Sequence, residues 1–62
     1  MEKSRAEKLV AAATTTHNER KAAYDRAVAE GAPESEQRLR AGSVDGSAYE
    51  LERARAALKN SR

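Results

Sequence analysis

Residues 6–28 read AEKLVAAATTTHNERKAAYDRAV. The apolar side chains in this stretch recur every three or four positions, so at 100° per residue they fall within about 100° of one helical face. A 4-3-4-3 spacing that continues through His17 and Arg20 is typical of helices that pack lengthwise against a neighbour. The pattern therefore predicts one long helix, about residues 3–30, with a narrow apolar stripe. The stripe consists of Ala6, Leu9, Val10, Ala13, Tyr24, Ala27 and Val28.

Three consecutive threonines in the middle of this stretch point to an alternative. Thr14, Thr15 and Thr16 are β-branched, which lowers helix propensity. Thr16 and Glu19 also have the spacing of a capping box, a signal for a new helix start. A helix break at the threonines is the alternative that the sequence leaves open.

The long helix has a clear stop signal. Gly31 suits the left-handed position that ends many helices, and Pro33 prevents the helix from continuing. Pro33 also favours the first position of a helix, so residues 33–41 are either a loop or a short helix that ends at Gly42.

A cluster of turn-forming residues, Gly42–Ser47, then predicts a turn before the last helix. The region 31–46 is accordingly interpreted as a loop or short helix, followed by a helix over about residues 47–60. Two start signals compete there: Ser47 with Glu50 as a capping box, or Asp45 as the N-cap. Leu51, Ala54 and Leu58 share one face of that last helix.

The predicted fold is all-α and occupies residues 1–62 as a single small domain. A long N-terminal helix and a shorter C-terminal helix fold back on each other as a helical hairpin. Alanine-rich faces permit close packing of antiparallel helices, and association with a further chain is expected to complete a bundle.

Size and composition indicate that the chain needs a partner. With 62 residues, 39% hydrophobic and 35% charged, it has little apolar material for a core of its own. Self-association, or docking on a larger protein assembly, is the expected source of stability. The alternative is a largely disordered chain that folds on binding.

Catalytic and metal-binding patterns are missing from the sequence. It has no cysteine and a single histidine, His17, so a metal site would have to recruit carboxylates or a second chain. The acidic residues alternate with basic ones at helical spacings, which is typical of solvated surfaces. We therefore expect no enzyme activity, no metal and no cofactor. His17 and Arg20 are instead interpreted as a polar pair in a helical seam, which sets partner choice or register.

Charge and hydropathy bear on location and partners. The net charge of +2 is spread evenly along the chain, and the apolar run Leu9–Ala13 is too short for a signal peptide or a membrane span. A cytoplasmic location and no membrane partner are the resulting expectations. Binding to nucleic acid is the alternative function, because Arg38, Arg40, Arg53 and Arg55 lie on either side of the predicted turn.

Part of the second half resembles a known family. Leu39, Gly42, Val44, Asp45 and Tyr49 occur in the order and spacing of the SHOCT domain, a short C-terminal helical hairpin, and Arg53 and Ala57-Leu58 follow in step. Ala48 departs from the pattern, because that family usually has glutamate there. The resemblance covers about twenty residues and implies a module for oligomerisation or protein contact, without activity or cofactor.

The predicted function is that of a non-enzymatic helical interaction module: an adaptor, an inhibitor or a structural subunit. Its partner is a protein, either a second copy or a larger complex. The candidate contact residues lie on the predicted apolar faces. They are Leu9, Val10, Ala13, His17, Arg20, Tyr24, Val28, Leu51 and Leu58.

Overall fold

The protein is a hairpin of two long helices. The structure, a computed structural model, describes residues 2–61, and within them it contains helix α1, Lys3–Ala29, helix α2, Glu34–Lys59, and no strand. The two helices lie antiparallel in a rod whose Cα atoms extend 46 × 13 × 10 Å. The predicted all-α helical hairpin is thus confirmed.

The turn between the helices follows from Gly31 and Pro33. Gly31 has φ +71°, a left-handed conformation that glycine adopts without strain. The N–H of Ala32 donates to the carbonyl of Ala27 at 2.9 Å, and that of Gly31 to the carbonyl of Val28 at 3.1 Å. This pair of hydrogen bonds is the Schellman motif, which satisfies carbonyls at a helix end. The chain therefore reverses direction within four residues.

Helix α1 runs through the three threonines without a break. The hydroxyl of Thr14 donates to the carbonyl of Val10 at 2.8 Å, one turn earlier. A threonine can thus satisfy its hydroxyl inside a helix, and it need not cap a new one. The sequence alternative of a break at residues 14–16 is absent from the structure.

Helix α2 corrects the prediction for the second half. Residues 31–46 were expected to be a loop or short helix, yet α2 is continuous from Glu34 to Lys59 and includes the entire turn-like cluster. Neither Ser47 nor Asp45 is a helix cap, because both lie inside the helix. The hydroxyl of Ser47 instead donates to the carbonyl of Val44 at 2.8 Å.

Packing against α1 explains why the cluster is helical. Two glycines inside a helix cost about 1 kcal/mol each relative to alanine. A seam with 4-3-4-3-4 spacing continues across them, however, and burying it against α1 offsets that cost. On α2 the seam residues are half-buried or buried. They are Arg40, Val44, Ser47, Leu51, Ala54 and Leu58.

The core between the helices is small. In the part of the chain that the structure describes, its buried apolar side chains are Ala6, Ala27 and Leu51, and no large side chain is fully buried. Four large apolar residues of this part remain exposed on the surface: Leu9, Val28, Leu39 and Tyr49. Two helices alone therefore cover little of the apolar surface that the chain carries.

Neither helix combines the length and the apolar content that crossing a bilayer requires; this applies to residues 2–61.

Candidate interaction surface

A polar layer crosses the middle of the hairpin. Nδ1 of His17 lies 3.0 Å from Oγ of Ser47. The single hydroxyl hydrogen of Ser47 is directed at the carbonyl of Val44, which can only accept. Both hydrogen bonds form together only when Nδ1 of His17 carries a hydrogen and donates it. In neutral His17, Nε2 is then the unprotonated nitrogen.

Arg20 adds a second polar contact to this layer. Its Nη1 donates to Oγ of Ser43 at 2.7 Å. A guanidinium has five N–H donors, so this bond leaves most of its capacity unused. Within residues 2–61 the ion pairs are Glu34 with Arg38 and Glu36 with Arg40, and Arg20 belongs to neither. Arg20 is therefore a charged, exposed group without a carboxylate partner in the described chain.

One side of the hairpin carries a shallow groove along its length, which we call the groove face. Small side chains line its middle, and a leucine stands in a hollow near each end. Leu9 lies beside Ala13, Ala54 and Ala57 at the open end. The residues of the groove face are Leu9, Ala13, Thr16, Arg20, Ala23, Glu36, Leu39, Arg40, Ser43, Gly46, Ser47, Glu50, Arg53, Ala54 and Ala57.

The hollow nearer the turn has the same character. Leu39 lies there beside Ala23 and Ser43 and is 76% exposed. This hollow is also lined by Arg20, Glu36 and Arg40. The groove face thus has a hollow at each end, in which one exposed leucine lies among small and charged residues.

The predicted contact residues divide between seam and surface. Val10, Ala13, His17, Tyr24 and Leu58 are half-buried, and Leu51 is buried, so the first neighbour of the apolar stripe is the other helix of the same chain. Leu9 and Val28 are both 44% exposed, and Arg20 is exposed.

Sequence reasoning missed one exposed side chain of the groove face. The sequence predicts Leu39 in a loop or short helix, which does not place it on a groove. Tyr49, 60% exposed, lies on the side of α2 away from the seam, with the guanidinium carbon of Arg53 5.9 Å from its ring centre. The seam spacing of α2 would have indicated the position of Leu39. Arg40 belongs to the seam, so residue 39 lies at the edge of the seam.

The four arginines proposed for nucleic acid do not meet at one corner, which corrects that expectation. Because α2 is continuous, Arg38 and Arg40 lie roughly 20 Å along its axis from Arg53 and Arg55. Arg38 and Arg40 are also paired with Glu34 and Glu36, at 2.6 Å and 3.1 Å. The compact cationic patch that motivated the alternative is therefore not formed by residues 2–61.

Possible metal ligands are dispersed as well: within residues 2–61, no three histidine, cysteine or carboxylate side chains converge. In comparisons with family models, with curated proteins and with solved structures, nothing matches this chain. The resemblance of residues 39–58 to the SHOCT domain accordingly stays a prediction.

Proposed function

We propose that this chain is a non-enzymatic protein-interaction module, which acts by contributing its two helices to a larger helical bundle. The bundle is formed either with copies of itself or with another protein. The observation that carries the proposal is the mismatch between a hairpin core of small side chains and the large apolar residues left outside it.

The physical argument concerns the surface that two helices can bury. In water, most of the stability of a helix comes from packing its apolar face against other parts of the protein. Here each helix has one neighbour, and of the large apolar side chains in residues 2–61 only Leu51 becomes buried. Leu9 and Leu39 gain little from the hairpin because both lie on the groove face. A third and fourth helix against that face would cover them.

The dimensions of the groove face suit such a partner. The Cα atoms of the whole hairpin extend 46 Å along the rod and 13 Å across it. A long side of the rod is thus roughly 600 Å² before side chains are added, against the ~800 Å² per partner of a stable interface. The small residues in the middle of the groove face allow another helix to approach closely.

Sedimentation equilibrium with parallel melting curves tests the proposal. We expect the stability of the purified chain to rise with concentration, or with addition of a helical partner, because binding to the folded form stabilises it by mass action. A cooperatively melting single chain of 6.7 kDa, equally stable over roughly a hundredfold dilution, would contradict the proposal.

A further inference from the structure

We propose that the groove face binds a second copy of this chain in an antiparallel, two-fold arrangement, in which Arg20 of each copy pairs with Glu50 of the other. This inference rests on the proposed function and specifies its partner and geometry.

The register of the hairpin defines a middle level. His17 contacts Ser47 at 3.0 Å, and Arg20 contacts Ser43 at 2.7 Å, so the two helices are level with each other at these residues. Small residues surround the groove at this level, with Thr16 and Gly46 among them. A two-fold axis at this level, perpendicular to the helices, would bring together the small residues in the middle of two groove faces.

The two leucines of the groove face are placed symmetrically about that level. Leu9 precedes His17 by eight residues, and Leu39 precedes Ser47 by eight residues. Because the helices are antiparallel, the two leucines lie about 12 Å from the middle level in opposite directions. The two-fold rotation therefore brings Leu9 of one copy to the level of the other copy's Leu39 hollow, and the reverse.

Two charges of the groove face, Arg20 and Glu50, show the same symmetry. Arg20 follows His17 by three residues and Glu50 follows Ser47 by three, which places them about 4.5 Å from the middle level in opposite directions. Neither belongs to an ion pair within residues 2–61. The antiparallel arrangement brings Arg20 of each copy level with Glu50 of the other.

At the layers of Arg20 and Glu50, charge favours this arrangement over a parallel one. The other cations of the groove face, Arg53 of one copy and Arg40 of the other, come about level in it, and Arg40 is already paired with Glu36 at 3.1 Å. If the two-fold axis ran along the helices, Arg20 of one copy would be level with Arg20 of the other, and Glu50 of one copy with Glu50 of the other. Both layers would then hold like charges, which is costly once water is displaced. The antiparallel arrangement satisfies both groups with side chains that the chain already carries. It also makes the polar layer a determinant of register, a role that buried polar residues have in helical bundles.

A charge-reversal experiment tests the proposal on the full chain. Arg20→Glu and Glu50→Arg are prepared separately, and dimerisation is measured by sedimentation equilibrium for each variant and for their equal mixture. Each variant alone contains two like-charge contacts, so we expect it to dimerise about tenfold or more weakly than the original chain. The mixture restores both ion pairs and should regain the original affinity.

Matched controls separate this pairing from a change in net charge. Lys21→Glu and Glu52→Arg introduce the same charges at exposed positions that lie about 100° and 160° around the helix from Arg20 and Glu50. They should leave dimerisation within about twofold of the original and show no recovery on mixing. Circular dichroism on all variants verifies that the helices are retained.

Three results would overturn the inference. They are dimerisation unaffected by either reversal, a mixture no tighter than the variants alone, and an original chain that stays monomeric at every concentration. Association that is unaffected by the charge reversals would refute this dimer geometry but not the proposed interaction function. A chain that is fully stable as a monomer would refute both proposals.

Discussion

His17 and Ser47, thirty residues apart in sequence, are joined by a hydrogen bond of 3.0 Å between Nδ1 and Oγ in the middle of the hairpin. The bond fixes the register of α1 against α2, since a slip of one residue would rotate either side chain out of the seam. The hydroxyl of Ser47 is already committed to the carbonyl of Val44. The imidazole is therefore the donor, which is a testable statement about its tautomer.

We predict that neutral His17 carries its hydrogen on Nδ1. Nitrogen-15 NMR of the imidazole at a pH where it is neutral should show Nε2 as the unprotonated nitrogen. Ser47→Ala removes the acceptor and should shift the tautomer equilibrium. Ser43→Ala, which removes the contact of Arg20 instead, is the matched control and should leave the imidazole spectrum unchanged. An Nε2–H tautomer in the original chain would show that the bond is not made as described.

The energetic coupling between these two residues is a second prediction. In a double-mutant cycle with His17→Ala and Ser47→Ala, we expect a coupling of about 1 kcal/mol, the net value of a typical protein hydrogen bond. Urea denaturation at one fixed protein concentration provides the four free energies of unfolding. Strictly additive effects would mean that the two side chains do not depend on each other.

Truncation of Leu51 should destabilise the hairpin far more than truncation of Leu39. Leu51 is 7% exposed in the seam, whereas Leu39 is 76% exposed. We expect Leu51→Ala to lower the free energy of unfolding by about 2–3 kcal/mol, because it leaves a cavity between the helices. Leu39→Ala should change monomer stability by less than ~0.5 kcal/mol. Denaturation at high dilution measures both, and equal effects would contradict the burial assigned to these leucines.

Local signals and packing had different weight in the two halves of this sequence. The apolar spacing of residues 6–28 and the stop at Gly31 predicted α1 and its end, because helix periodicity and left-handed glycine act locally. The prediction for residues 42–47 was wrong because turn propensity is weak compared with long-range packing. The heptad spacing of α2 crosses Gly42 and Gly46, but it includes the polar residues Arg40 and Ser47, so an apolar pattern alone did not reveal it.

In the candidate site, too, the contacts depend on long-range packing that local sequence signals do not reveal. His17 and Arg20 were recognised as polar members of a helical stripe from their spacing. Their partners, Ser47 and Ser43, follow only from the register that the four-residue turn imposes, and the sequence predicts that reversal only to within residues 31–46. Leu39 became a surface residue on a groove once α2 was continuous.

Gly31→Ala tests the turn. At φ +71° an alanine is strained, although a Cβ there would meet no atom within 4 Å. The cost is therefore conformational, about 1–2 kcal/mol in the free energy of unfolding. Chemical denaturation measures it. Gly31→Asn, which tolerates the left-handed region better, should recover part of the loss. An alanine variant as stable as the original would indicate that the chain reverses by another conformation.

Gly42→Ala tests whether α2 is a single helix. Gly42 is exposed within α2, and a Cβ there would meet no atom within 4 Å. Alanine is favoured over glycine inside a helix by about 1 kcal/mol, so we expect the free energy of unfolding to rise by that amount. Ala11→Gly, at an exposed position inside α1, is the inverse control and should lower it similarly. All variants are measured at the same protein concentration, because association also contributes to stability. If residues 42–47 formed a turn, alanine at position 42 would bring no such gain, and the continuous helix would be refuted.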